Sequence, residues 1–183
     1  MPFTFETLPV PGLILIRPRA FGDERGYFLE TWRKAEFERA GIRADWIQDN
    51  EAHSARRGTL RGLHFQRDPH AQAKLVRCVH GSVWDVAVDL RPGSPTRGRF
   101  AAVELSAENR SVLFVPRGFA HGYLTLTDGA DVLYKVDADY APAAEGGLAW
   151  DDPDLAIPWP LAPVELNPRD RAWPRLRDLP TSP

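Results

Sequence analysis

Residues 58–90 read GTLRGLHFQRDPHAQAKLVRCVHGSVWDVAVDL. Within them VRCVHGSVWDVAVDL alternates apolar and polar residues on either side of His80-Gly81, a pattern that predicts two strands joined as a hairpin. Leu60, Leu63, Phe65, Leu75, Val76 and Val79 look like buried sheet, yet Arg61, His64 and Lys74 stand among them. Burying a cation costs several kcal/mol unless something compensates it. The stretch therefore raises two expectations at once, a sheet and a site that uses basic groups.

The same texture continues outward. RFAAVELS, SVLFVP, HGYLTLT and ADVLYKVDADY are each of strand length and bounded by turn residues, with 17 Pro and 14 Gly spread along the chain. This is the composition of an all-β sandwich or barrel. Only ETWRKAEFERAGI (Glu30–Ile42) has a helical pattern, with Trp32, Phe37 and Ala40 on one face and Gly41 as its stop. From about residue 150 the chain is rich in Pro and Trp and reads as irregular structure wrapped over the barrel. The closing LPTSP (179–183) is expected to fray. With no repeat, low-complexity segment or long linker, residues 1–183 read as a single domain.

The totals exclude several classes. A formal net charge of −2, from 23 Lys+Arg and 25 Asp+Glu, lacks the basic excess of a nucleic-acid or membrane-surface protein. An anionic ligand must be met by local cations. The lone cysteine, Cys78, can form no intrachain disulfide, which fits a reducing compartment. The run LILI (Leu13–Ile16) is too short for a membrane span or a signal-peptide core. The expectation is a soluble, cytoplasmic protein.

PRGFAH (Pro116–His121) fits the pattern PxGxxH, which in cupin-type jelly rolls sets a His at the barrel mouth. Such barrels usually carry HxH and then Glu to complete a metal site. Here the corresponding stretch is His64-Phe65-Gln66, and no Glu precedes Lys74, whose ammonium is a poor neighbour for a divalent cation. Asp68 and His70 are the donors left nearby. The reading is of a cupin-type jelly-roll β-barrel with a few short helices and no metal. If Lys74, Val76 and Cys78 share one face of their strand, Leu75, Arg77 and Val79 share the other. Arg61 and His64, three apart, both point inward only if a bulge or strand end lies near Gly62. Taken singly each group has a plain structural alternative. Tyr134 reads as a half-buried strand aromatic, Asp85 and Asp89 as solvated or ion-paired, and Arg25 as a surface turn residue.

Taken in order, DERGYFLETW (23–32), QDN (48–50), GTLRGLHFQ (58–66), AQAKLVRCVHGSVWDVAVDLRPGSPTRG (71–98), LSAEN (105–109), PRGFAHGYLTL (116–126), LYKV (133–136), WDDPDLAIPWP (150–160) and NPRDRAWP (167–174) closely resemble the dTDP-4-dehydrorhamnose 3,5-epimerase family. The resemblance implies a jelly roll acting on a nucleotide-linked 4-keto-6-deoxyglucose, with no cofactor, as a homodimer whose subunits help complete each other's sites. It implies His64 as the base, Asp170 as its carboxylate partner, Lys74 at the C4 oxygen, and Tyr134 as the acid on the opposite ring face. His121 would line the site. Arg25, Arg61, Glu30, Gln48, Asp49, Asn50, Glu145 and Arg169 would contact the substrate and its phosphates. Paired guanidinium hydrogen bonds suit a pyrophosphate, and a ketone flanked by the C3 and C5 hydrogens needs only a base, an oxyanion stabiliser and an acid.

Three departures bear on specificity. The spacing from Gln48 to Gly58 is one residue longer than in the family pattern. Asp139-Tyr140 stands where two aromatics are common, and Arg169 where Lys is frequent. Rival readings are an epimerase of one centre only, a metal-dependent cupin, and a non-catalytic sugar-binding cupin.

Overall fold

The computed structural model describes residues 1–180. In chain order the elements are β1 (Phe3–Thr7), β2 (Ile14–Pro18), β3 (Ala20–Asp23), β4 (Gly26–Leu29), α1 (Lys34–Arg39), β5 (Gln48–Ser54), β6 (Thr59–Gln66), β7 (Lys74–His80), β8 (Ser82–Asp89), β9 (Phe100–Ser106), β10 (Val112–Val115), β11 (Phe119–Thr125), β12 (Ala130–Val136), β13 (Glu145–Gly147) and β14 (Glu165–Leu166). One sheet runs β1-β2-β10-β7-β12-β5 and faces a second, β13-β6-β11-β8-β9, with β14 parallel to β6. The all-β jelly-roll expectation holds.

Period-two alternation builds three apolar layers from these strands. Between the sheets lie Val76, Cys78, Val83, Ala87, Leu113, Phe119 and Val132. Outside the first sheet, Leu75, Val112 and Phe114 pack with Phe37 and Ile42. Outside the second, Val86, Val88 and Ala120 pack under Leu148, Leu155 and Ile157 of the C-terminal strap. The central strands are buried on both faces, which is why they read as nearly continuous apolar runs. On the inner face this alternation admits Lys74 beside Val76, Asp85 between Val83 and Ala87, and His121 between Phe119 and Tyr123.

Two sequence expectations require correction. The hairpin at His80-Gly81 does not form. β7 pairs with β10 and β12, whereas β8 pairs with β11 and β9. Gly81, at φ +69°, turns the chain from one sheet into the other, so two strands of complementary pattern serve opposite walls of a sandwich. The helix is also shorter than Glu30–Ile42. Arg33 offers no side-chain cap, and Glu30 is engaged by the Arg33 guanidinium instead. The glycine stop is as expected. Gly41 N–H donates to Glu38 O and Ile42 N–H to Phe37 O, a Schellman pair with buried Phe37 against Ile42. β5 (QDNEAHS) has almost no apolar residues and escaped the sequence reading, because an edge strand exposes most of its side chains. At the end of the chain Leu179 packs on the outer layer and Pro180 O accepts from Arg97. The rest of the stretch expected to fray, residues 181–183, lies outside the described residues. No helix among the described residues is long and apolar enough to cross a membrane.

The bulge required at Gly62 is present. His64 lies opposite His121 and Arg61 opposite Tyr123, so Gly62 and Leu63 together face Gly122 alone. Leu63 turns into the outer layer while Arg61 and His64 both face inward. Gly62 sits at φ +128°, and a Cβ there would fall 2.6 Å from Gly122 Cα. Both features demand glycine. Gly62→Ala is expected to lower the unfolding free energy by roughly 2–4 kcal/mol, combining backbone strain with overpacking, as read by urea denaturation.

Candidate active site

A cavity of about 640 Å³ opens between the two sheets, within the range of small-molecule sites. His64, Arg61 and Gln66 reach it from β6, and His121 and Tyr123 from β11. Lys74 comes from β7, Tyr134 from β12, Glu145 from β13, and Arg169 and Asp170 from the turn Pro168–Arg171. Eight residues singled out in the sequence thus meet in one space: Arg61, His64, Lys74, His121, Tyr134, Glu145, Arg169 and Asp170.

The His64 imidazole donates through Nε2 to Asp170 Oδ1 at 2.6 Å. A carboxylate there holds the proton on Nε2 and leaves the Nδ1 lone pair for other work. Asp170 is only 3 % exposed. It also accepts from the Gly62 N–H (3.2 Å) and Trp173 Nε1 (3.3 Å). Burial alone would raise its pKa, but the His64, Gly62 and Trp173 hydrogen bonds reverse this and hold it below the ordinary carboxylate range. The Trp173 ring stands edge-on to the imidazole.

Deeper in, His121 Nε2 lies 2.9 and 3.0 Å from the two oxygens of Asp85, which is wholly buried. Of the two open readings for Asp85 and Asp89, pairing is therefore correct for both. Asp89 accepts from Arg91, Ser94 and Thr96 and ties down the turn after β8. The Lys74 ammonium makes no hydrogen bond or ion pair among the described residues. Burial brings its pKa down to about 8, against the opposing pull of Asp85 and Glu145. Burial also raises the Tyr134 phenol, partly offset by Arg61. Arg61 donates to Ser54 Oγ (3.0 Å) and His53 O (2.7 Å), bridging β6 to β5 at the cavity wall. At the rim Glu145 accepts from Tyr140 OH (3.0 Å) and Arg169 Nη1 (2.5 Å).

Five residues do not join this cavity. Arg25 sits on the exposed β3–β4 hairpin and pairs with Asp23. Glu30 pairs with Arg33, Asp49 with Lys135, and Gln48 donates to Asn50. Asp49 and Asn50 line a separate cleft beside Trp32. The sequence reading gave no role to Tyr123, Gln66, Gln72 and Trp173. Trp173 alone carried a signal, three residues after Asp170. Tyr123 is a phenol pushed up to about 12 by burial. Cys78, pushed up to about 11 by burial, is an inert core thiol. No group of three or more His, Cys, Asp or Glu side chains among the described residues is arranged to hold a metal ion.

The protein is thus a cupin-type jelly-roll barrel whose cavity is lined by a carboxylate-oriented imidazole, a phenol and a desolvated ammonium. The sequence profile of dTDP-4-dehydrorhamnose 3,5-epimerase matches residues 7–178, and the chain belongs to that family of isomerases. A relative from Sinorhizobium fredii, named dTDP-4-dehydrorhamnose 3,5-epimerase, is 49% identical over 179 residues, 97% of this chain and 92% of the relative. The Bacillus anthracis dTDP-4-dehydrorhamnose 3,5-epimerase, solved with TDP and PPi bound, superposes with a TM-score of 0.92 at 43% identity, covering 94% of this chain and 99% of that one. The Legionella pneumophila dTDP-6-deoxy-D-glucose-3,5-epimerase, in complex with dTDP-4-keto-L-rhamnose, gives 0.93 at 41% identity over 97% and 95%.

The Asp170 shift fixes a pH dependence. Its carboxyl is more acidic in the folded chain than in the unfolded one. The associated stability is therefore complete above the ordinary aspartate pKa of ~3.9 and is lost as pH falls through the folded value. Stability measured by urea denaturation is expected to decline between about pH 5 and pH 2. Asp170→Asn removes part of that slope, and the part due to Asp89, also held low by its hydrogen bonds, remains.

Proposed function

We propose that the chain converts dTDP-4-dehydro-6-deoxy-D-glucose to dTDP-4-dehydro-L-rhamnose by inverting C3 and C5, in dTDP-L-rhamnose biosynthesis. The supporting observation is the 2.6 Å pair of His64, on one sheet, with Asp170 of the Pro168–Arg171 turn, and Tyr134 on the other sheet, all lining one cavity. A flat sugar ring held between them presents one face to a base and the other to an acid.

In this reading His64 Nδ1 takes the proton from C3 or C5, and the C–H electron pair becomes an enolate with its charge on O4. The Asp170 carboxylate steadies the imidazolium that results. The Lys74 ammonium meets O4 where charge grows, in a setting poor in water that strengthens the contact. Tyr134, kept protonated by its raised pKa, returns a proton to the opposite face of the same carbon. His121, oriented by Asp85, lines the pocket beside them. Exchange with solvent then restores both groups, so each inversion is balanced in protons and needs no redox partner. Arg61 and Arg169 supply guanidinium groups for the pyrophosphate, with Glu145 at the rim.

The protein further acts as a homodimer in this reading. The β3–β4 hairpin exposes Phe21, Tyr27 and Phe28 around Arg25, an apolar patch that a second copy would cover. Arg25, Glu30, Gln48, Asp49 and Asn50 would then contact nucleotide in the composite site.

Incubating the chelator-treated protein with the substrate in D₂O is expected to introduce deuterium at both C3 and C5, read by NMR. His64→Ala should lose both exchanges by roughly 10²–10⁴-fold. Tyr134→Phe should retain proton abstraction while inversion falls. Exchange at a single carbon would reduce the activity to one centre, and exchange at neither would exclude this substrate.

Lys74 sets the alkaline limit. Its ammonium is present below about pH 8 and lost above it, so kcat/KM, which reports the free enzyme, should fall about tenfold per pH unit beyond that point. Lys74→Met is expected to remove this limb and to lower kcat by on the order of 10²–10³-fold.

A further inference from the structure

Behind the catalytic cavity, on the other side of Phe65 and Gln66, lies a slot of about 160 Å³. It is enclosed by the loop after β6, the turn after β8, the Arg117-Gly118 turn and Leu179-Pro180. Its size is close to the ~150 Å³ of a cavity that accepts benzene. Phe65, Ala71, Leu90 and Leu179 supply apolar walls. The Gln66 amide closes the partition, since it donates to His70 O and Asp139 O and accepts from Ala141 N–H.

Four guanidinium groups surround this apolar space, and they are not equivalent. Arg91 is neutralised by the buried Asp89 carboxylate, and Arg117 by Asp137 at 2.9 Å. Among the described residues Arg67 and Arg97 donate hydrogen bonds to carbonyl oxygens alone, and the Arg67 guanidinium also lies 5.9 Å from the centre of the Phe65 ring. Arg67 donates to Glu145 O at 3.1 Å, and Arg97 to Leu90 O and Pro180 O. Both are half-buried, and among the described residues neither has a carboxylate within ion-pair distance. Asp68, at the rim, is exposed and pairs with neither. Two partly desolvated positive charges thus border a ring-sized apolar hole.

We propose that this slot is a second ligand site, distinct from the catalytic cavity, which takes a small organic anion with a ring-sized apolar body and one carboxylate or phosphate group. The acid group meets Arg67 and Arg97 through charge-assisted hydrogen bonds, which the low local polarity strengthens. The ring fills the space beside Ala71 and Leu90. A bare inorganic anion would gain the charge contacts but leave the apolar walls unfilled, and a neutral ring would leave the two guanidinium groups uncompensated.

The test is calorimetric titration of the full-length protein with benzoate and with phenyl phosphate at millimolar concentration, beside benzyl alcohol and inorganic phosphate. Saturable binding of either aromatic anion is expected, undisturbed by saturating dTDP. Arg97→Gln should weaken it at least tenfold, the loss of about one charge-assisted hydrogen bond. Ala71→Leu, which fills the slot and keeps every charge, should abolish it. The tighter of the two anions identifies the acid group. Absence of binding overturns the proposal, as does displacement by dTDP, equal binding of benzyl alcohol or inorganic phosphate, or affinity unchanged in both variants.

Discussion

The buried carboxylate of Asp170 is the contact on which the site depends. It draws hydrogen bonds from the His64 ring, from the Gly62 amide in the bulge of β6, and from Trp173. These partners belong to a central strand and to a turn more than a hundred residues further along. One side chain therefore docks the C-terminal strap, fixes the bulge that turns Arg61 and His64 inward together, and orients the imidazole. Removing it would leave three donors without their acceptor.

The rest of the inner face follows the same logic of charge admitted where a partner or a task is available. His121 and Asp85 satisfy each other, and Arg61 is held by Ser54 and His53 O. Lys74 is the exception, with no side-chain hydrogen bond or ion pair among the described residues, and burial brings its pKa down to about 8 against the pull of Asp85 and Glu145. Burying an ammonium is costly to an empty barrel, and under the proposed function that group would meet a developing oxyanion with little reorganisation.

Much of the fold was legible in the sequence, because central strands of a sandwich carry their pattern locally. VLFV and ADVLYKV read as strands from β-branched residues and bounding turns, and Gly41 announced the end of α1. β5 was not legible. QDNEAHS has no apolar stripe, and it becomes a strand because β12 offers it a row of hydrogen-bonding partners. The hairpin at Gly81 failed for a related reason. Local alternation specifies two strands and a turn, but whether they pair with each other or separate into opposite sheets is decided by β10, β11 and β12.

The site divides along the same line. The sequence by itself determined the chemistry present. His64, Lys74, Tyr134 and Asp170 stand in motifs that resemble those of the epimerase family, and the spacing of Arg61 to His64 required an irregularity at Gly62. The order of the motifs along the chain suffices for that resemblance, and spacing over three residues suffices for the bulge, since both are written in the sequence. The tertiary structure alone decided that Asp85 pairs with His121, that Glu145 joins Arg169 and Tyr140, and that Arg25 through Asn50 stand apart from the cavity of their own chain. Those relations connect side chains across sheets or through the strap. Only closure of the barrel brings such groups within hydrogen-bond range and removes the water that would otherwise satisfy them.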